Sequence, residues 1–171
     1  MTPRSAMLFC SESRRRQLLG RLAITSAVDR LMRQRLPEPD AELDTLVSQV
    51  LDAALAVHRA LGPGYTEAVY ERALGMELAM RQISHEAHVP VTIAYRGVEV
   101  GTARLDLLVG SRLVVELKAV EQLAAVHAAQ LRSYLIATGH TLGLLINFNV
   151  PLLRNGVRRV IRRESTSPPK L

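Results

Sequence analysis

The stretch of sequence that decides the fold is "ARLDLLVGSRLVVELKAV", residues 103–120, which indicates two apolar strands joined by a turn. Three charged residues, Asp106, Glu116 and Lys118, interrupt its apolar run. Strand side chains alternate between two faces, and a slip of one residue in the pairing inverts every one of them. The length of the loop between the strands therefore decides which face each charge occupies.

A three-residue loop, residues 110–112, is the length that matches the apolar faces of the two strands. A two-residue turn at 110–111 would place Asp106 and Glu116 on opposite faces. The longer loop places Asp106 directly opposite Glu116, with Lys118 next along the same face. It also brings six aliphatic residues onto one face as the pairs Val109–Leu113, Leu107–Val115 and Leu105–Leu117.

Two carboxylates that lie directly opposite each other repel, and the repulsion costs most where the dielectric is low. A divalent cation between them removes that cost, because Mg²⁺ prefers carboxylate, water and phosphate oxygens. Lys118 beside them would orient a water or stabilise a phosphoryl transition state. A buried ion pair between Glu116 and Lys118 without a metal is the alternative, and the residues alone leave both interpretations open.

The sequence around the hairpin predicts two helices before it and one helix with two strands after it. Apolar residues at three- and four-residue steps predict helices over 44–61 and 67–82, separated by "LGPGY". On the second helix we expect Val69, Ala73, Met76 and Met80 to pack inward, with Leu74 and Leu78 beside them. The remaining predicted elements are strands at 88–95, 98–109 and 113–119, a helix over 126–138, the strand "TLGLLINFN" and a short final strand. This order, ααβββαβ plus a final strand, predicts an α/β fold with a mixed sheet flanked by helices.

The net charge of +6 is distributed unevenly along the 171 residues. Residues 1–36 hold eight arginines against two acidic residues, and residues 154–171 hold six basic residues against one. Residues 37–153 hold eight basic and thirteen acidic residues, a sum of −5. The basic ends are able to attract phosphate backbones, although two solvated tails are the alternative interpretation.

The same composition favours a cytoplasmic protein with no membrane partner. The single cysteine excludes an internal disulfide and a cysteine-rich zinc site, and no apolar run approaches the ~20 residues that span a bilayer. We expect a basic N-terminal extension at 1–40, disordered or a short helix, a domain at 41–163 and a flexible tail at 164–171. A twin-arginine export signal is disfavoured because Arg21 interrupts its apolar region. A true start at Met32 is an open alternative.

The order of these charged motifs resembles that of a known group of enzymes. Asp106 on one strand and Glu116-x-Lys118 on the next resemble the PD-(D/E)XK nuclease superfamily. Gln130 and Tyr134, one helical turn apart, resemble the Q-x-x-x-Y helix of its RecB-like members.

A narrower resemblance is to the bacterial family named GxxExxY protein, and it covers roughly residues 46–161. Gly64, Glu67 and Tyr70 have the spacing that gives this family its name. The blocks "AVHRALGPG", "RLDLLV", "VVELKAVEQL" and "LLINFNVPLLRNGVRRV" also fit its pattern, in the same order.

The resemblance implies a restriction-endonuclease-like core that carries a metal-dependent nuclease site. Its implied catalytic residues are Asp106, Glu116, Lys118, Glu67 and Gln130. Mg²⁺ or Mn²⁺ would be held by Asp106, Glu116 and the backbone carbonyl of Leu117, with Tyr134 and His127 at the substrate rim. A structural role for His127 is the alternative.

The expected function is hydrolysis of phosphodiester bonds in nucleic acid, with DNA as the expected substrate. The alternative is a non-catalytic nucleic-acid-binding or protein-assembly module on the same fold. Nucleic acid is the expected partner, and a homodimer stays open.

Overall fold

The computed structural model describes residues 41–162, which form helices on both faces of a five-stranded sheet. The helices are α1 (Ala41–Leu61), α2 (Glu67–Met80) and α3 (Ala125–Thr138). The strands are β1 (His85–Tyr95), β2 (Val98–Val109), β3 (Leu113–Lys118), β4 (Leu142–Asn147) and β5 (Val157–Ile161), with a 3-10 turn at Leu153–Gly156. The strand order is β1-β2-β3-β4-β5, and only β3 and β4 run parallel. The predicted α/β class with a mixed sheet is confirmed.

The expected extension at 1–40 and tail at 164–171 lie outside the described residues, as do the ideas about export and the start site. Within 41–162, no helix is both long enough and apolar enough to cross a bilayer.

The two faces of the sheet pack against different helices and form two cores. Leu113, Val115 and Leu117 of β3 pack with α1 and α2, whereas Val114 packs with Leu131 and Leu135 of α3. Because side chains alternate along a strand, Glu116 and Lys118 continue the α3 side of β3. The two catalytic candidates of β3, Glu116 and Lys118, therefore lie on the face of the strand opposite to α2.

The β2–β3 hairpin confirms the predicted three-residue loop at 110–112. Its strands pair Val109 with Leu113 and Leu107 with Val115, and the ladder ends there. The predicted Leu105–Leu117 pair is wrong, because Leu105 packs in the α3 core and Leu117 in the core of α1 and α2.

The carboxylate of Asp106 explains why the ladder ends. Its Oδ2 accepts the N–H of Leu117 at 2.7 Å, in the place of a backbone acceptor from β2. The sequence had predicted that Asp106 pairs with Glu116 across the ladder, and this prediction is wrong. Instead it lies where β2 and β3 separate.

The predicted inward face of helix α2 is confirmed for Leu74 and Leu78, and Ala73 packs against the core, but the rest of that face is exposed. Val69, Met76 and Met80 are 39%, 62% and 78% exposed, and the prediction that they pack inward is wrong. The fully buried residues of α2 are Tyr70, Leu74 and Leu78. The ring of Tyr70 stacks on Phe148 with a centroid distance of 4.6 Å, and this contact sets the rotation of the helix.

Candidate functional site

A cleft of about 790 Å³ opens between α2 and the β1–β2 hairpin, beside the end of β3. Several of its lining residues are charged or titratable. They are Glu67, Glu71 and Arg72 from α2, His85 and His88 from β1, and Arg104 and Asp106 from β2. Leu117 and Ala119 form its floor. Two of the predicted catalytic residues, Glu67 and Asp106, thus line one open cleft.

Glu116 and Lys118 form a buried ion pair next to this cleft. The ammonium of Lys118 donates to Oε1 of Glu116 at 2.7 Å, and the two side chains are 12% and 2% exposed. The second carboxylate oxygen of Glu116, Oε2, is buried and has no hydrogen-bond partner. A buried charged oxygen without a donor is costly to the fold, and a donor or a cation beside this atom would offset that cost.

All three candidate carboxylates use one oxygen within the protein and leave the other free of any donor in the described segment. Asp106 accepts from the N–H of Leu117, and Glu67 Oε1 accepts from the N–H of Ala119 at 3.2 Å. Glu116 accepts from Lys118. One anchored oxygen and one free oxygen is the arrangement that orients a carboxylate towards a cation.

Burial dominates the electrostatics of this group. It raises the pKa of Asp106 above the ordinary value, against the Leu117 N–H and the charge of Lys118, which lower it. It also raises the pKa of Glu116, against the hydrogen bond from Lys118, and the charge of Asp106 adds to the rise. Burial lowers the pKa of Lys118, but the hydrogen bond to Glu116 and the charges of Glu116, Glu67 and Asp106 outweigh burial, so the pKa is raised. The charges of Glu67, Asp106, Glu116 and Lys118 thus act on one another within one site.

The donor set fits a hard divalent cation, because carboxylate oxygens are the ligands that Mg²⁺ and Mn²⁺ prefer. The unsatisfied Oε2 of Glu116 supports this fit. Within residues 41–162, however, no three or more His, Cys, Asp or Glu side chains are already gathered closely enough to enclose an ion. The three candidate carboxylates therefore do not form a closed cage of ligands within the described residues.

The G-x-x-E-x-x-Y spacing has a direct structural explanation. Gly64 has a φ of 113°, a conformation that side chains disfavour. The hydroxyl of Tyr70 donates to the carbonyl of Gly62 at 2.7 Å and accepts from the N–H of Tyr65 at 3.1 Å. Tyr70 thereby fixes the loop that leads into α2, whose first residue is Glu67. The glycine and the tyrosine thus position the glutamate.

We expect Tyr70→Phe to lower the free energy of unfolding by about 1–2 kcal/mol, since two hydrogen bonds are lost while the ring stays stacked on Phe148. Urea unfolding measures this loss. Tyr95→Phe is the matched control, because its side chain is exposed and a change within about 0.5 kcal/mol is expected there. Equal effects of the two substitutions would contradict a positioning role for the Tyr70 hydroxyl.

The three candidate residues of α3 do not line the cleft. The amide of Gln130 donates to the hydroxyl of Tyr134 at 2.8 Å, so the two are linked as their spacing predicted. Nδ1 of His127 accepts the N–H of Ala124 and caps the start of α3, which favours the structural interpretation of this histidine. Helix α3 covers the face of the sheet opposite to α2, which is the face of Glu116, and the rim role of Gln130, Tyr134 and His127 stays a prediction.

Five charged or titratable residues of the cleft were not predicted from the sequence: Glu71, Arg72, His85, His88 and Arg104. Arg104 lies two positions before Asp106, and strand alternation would have placed both side chains on one face. Glu71 and Arg72 follow Glu67 by about one helical turn, a weaker signal. No signal marks His88, because its φ of 58° is a tertiary feature.

Comparison with known proteins identifies the family of the chain. The model of one protein family, the PD-(D/E)XK nuclease superfamily, matches residues 44–160. A search of curated proteins finds no match. The narrower likeness to the GxxExxY family stays a prediction. The match covers more than half of the sequence, and the mixed sheet with flanking helices is consistent with a restriction-endonuclease-like fold. The chain therefore belongs to the PD-(D/E)XK nuclease superfamily.

Proposed function

We propose that the protein is a metal-dependent nuclease that hydrolyses phosphodiester bonds in nucleic acid, with DNA as the substrate. The observation that carries the proposal is a set of three carboxylates, Glu67, Asp106 and Glu116, each with one anchored and one free oxygen. The anchor of Glu116 is its buried ion pair with Lys118. Asp106, Glu116 and the backbone carbonyl of Leu117 would hold Mg²⁺ or Mn²⁺, with Glu67 completing the site. Membership of a nuclease superfamily supports this assignment.

When bound, such a cation lowers the pKa of a coordinated water and offsets charge on the phosphate. The protein's own residues supply orientation. Lys118 has three ammonium donors and gives one to Glu116, so further donors are available to a water or a phosphoryl oxygen. Asp106 and Glu67 are held by backbone N–H groups of the β3 end, which keeps their free oxygens in a constant direction. Gln130, with Tyr134 beside it, would contact a water or phosphate at the rim.

Calorimetric titration with Mn²⁺ and Mg²⁺ tests the cation site without depending on turnover. We expect saturable binding by the wild-type protein and at least about tenfold weaker binding by Glu116→Gln, which loses the charge on the unsatisfied oxygen. Glu77→Gln, on the exposed side of α2, is the matched control and should bind as the wild type does. Equal binding by wild type and Glu116→Gln would contradict the assignment of Glu116 as a ligand.

A non-catalytic nucleic-acid-binding or assembly module is the second candidate. It is favoured by the depth of Glu116, which is 2% exposed, and by the absence of a ready-made metal cluster among residues 41–162. Binding of nucleic acid that is unaffected by chelation, with no cleavage in any metal, would support this candidate over the nuclease.

A further inference from the structure

Two arginines of the cleft form no hydrogen bond or ion pair within the described segment, although the charges of both act on the carboxylate of Glu71. Arg72 on α2 and Arg104 on β2 line the cleft and are exposed, yet neither forms a hydrogen bond or ion pair with any residue of 41–162. By contrast, Arg81 pairs with Glu77 on the same helix as Arg72. A guanidinium presents a planar fork of donors that matches a phosphate group. Both arginines are therefore available to an anionic ligand in the cleft.

A carboxylate that lines the same cleft, Glu71, is already paired with another side chain. Its Oε1 lies 2.9 Å from Nε2 of His88. The backbone of His88 has a φ of 58°, a strained conformation for a residue with a side chain, and such strain is concentrated at functional sites. His88 takes the close contact with Glu71, and the charges of Arg104 and Arg72 act on this carboxylate without an ion pair, so the donors of both guanidinium groups stay open to a ligand.

Strand β2 places Arg104 two residues before Asp106, which belongs to the proposed metal site. Arg104 and Asp106 both line the cleft, while Leu105 between them packs into the α3 core. Two residues of a strand advance about 6.6 Å. A nucleic acid strand that presents one phosphate at Asp106 therefore presents a neighbouring phosphate within reach of the long Arg104 side chain.

The charges of the site favour this binding only when a cation is present. Four carboxylates and three permanent cations sum to −1 with a neutral His88, and a divalent ion changes the sum to +1. The carboxylates are Glu67, Glu71, Asp106 and Glu116, and the cations are Arg72, Arg104 and Lys118. The cleft thus attracts a phosphodiester backbone after the ion binds.

We propose that Arg72 and Arg104 bind the backbone phosphate next to the scissile one. This inference rests on the proposed nuclease function and narrows its substrate class. The preferred substrate is a polynucleotide strand with at least two neighbouring phosphates, and an isolated phosphodiester is a poor substrate because it cannot engage the arginines.

The test compares a labelled oligodeoxynucleotide with bis(p-nitrophenyl) phosphate, which has no neighbouring phosphate. We expect Arg72→Ala and Arg104→Ala each to lower the ratio of kcat/KM for the oligonucleotide to kcat/KM for the small ester by about tenfold or more. Each should also reduce the slope of log binding constant against log salt by about 1, measured by fluorescence anisotropy. Arg104→Lys should keep the wild-type salt slope, because the charge is kept. Its ratio of the two kcat/KM values should lie between those of the wild type and Arg104→Ala, because lysine lacks the planar fork.

Arg132→Ala on α3 is the matched control, because it removes an exposed arginine from the helix on the opposite face of the sheet. It should keep both the ratio and the salt slope. The inference is overturned if Arg72→Ala and Arg104→Ala leave the ratio or the salt slope at the wild-type value. A wild-type protein that hydrolyses neither substrate would instead overturn the proposed function, and the salt slope of oligonucleotide binding would still decide the inference.

Discussion

Replacing Asp106 with asparagine is expected to lower kcat for nucleic acid cleavage by about 10³-fold and to leave the fold at least as stable. The cation that this carboxylate would hold offsets phosphate charge worth several kcal/mol, and about 1.4 kcal/mol is a tenfold change in rate. Asparagine retains an oxygen that accepts the N–H of Leu117. Stability is kept because burial raises the pKa of Asp106, so the fold disfavours the ionised form at neutral pH and the neutral amide removes that cost.

The control for Asp106→Asn is Asp52→Asn, the same chemical change on the exposed surface of α1. Thermal unfolding without metal and kcat in excess Mg²⁺ are measured for both variants. Asp52→Asn should leave kcat unchanged. If Asp106→Asn cleaves as fast as the control, Asp106 has no part in holding the cation.

Lys118→Met is expected to have the second large effect, because it removes the partner of a buried charge. Neither oxygen of Glu116 would then have a hydrogen bond, and breaking a buried pair in this way costs about 3–5 kcal/mol of stability. Cleavage should fall by about 10²-fold or more, since a donor near the phosphate is lost. Excess Mg²⁺ should restore part of the stability but not the activity, because the ion offers Glu116 a new partner.

A double variant separates the charge of Lys118 from its packing. Glu116→Gln combined with Lys118→Met removes both charges and should recover most of the lost stability in urea unfolding, while cleavage does not recover. Arg81→Met, which breaks the partly exposed Arg81–Glu77 pair, is the control and should cost less than about 0.5 kcal/mol. If Lys118→Met costs no more than this control, the Glu116–Lys118 pair is not the anchor of the site.

The sequence predicted most of the hairpin that carries the site, but not its end. Matching the aliphatic residues gave the loop at 110–112 and the pairs Val109–Leu113 and Leu107–Val115, which the structure confirms. The pattern could not show that the carboxylate of Asp106 would take the N–H of Leu117 and so end the ladder. Matching apolar residues between two strands assumes that the strands pair regularly along their whole length. A side chain that replaces a backbone acceptor interrupts this regular pairing.

Helix α2 shows a second limit of pattern analysis. Its apolar residues occupy two faces, and the sequence favoured the face of Val69 and Met76, which is exposed. The face that is buried depends on Tyr70, whose ring stacks on Phe148 from the distant end of β4. A contact between residues so far apart in the chain leaves no periodic signal in α2.

The composition of the site was predictable to different degrees. Glu67 and Asp106 were expected in one cleft and lie in one. A buried Glu116–Lys118 ion pair was one of the two interpretations open from the sequence, and the pair is present. The sequence could not show that the second oxygen of Glu116 would lack a hydrogen-bond partner, because that depends on how α3 covers the sheet. Arg72 was not predicted either, since an arginine on an exposed helix usually serves only solubility.

Cleavage of a labelled oligodeoxynucleotide by wild-type protein and Glu116→Gln, each in Mg²⁺, Mn²⁺ and EDTA, tests the central claim most directly. A metal-dependent nuclease at this site predicts that the wild-type protein cleaves in either metal and is inactive in EDTA. It also predicts that Glu116→Gln is inactive in all three conditions. Cleavage that persists in EDTA, cleavage by Glu116→Gln at the wild-type rate, or an intact substrate with metal-saturated wild-type protein would contradict the claim.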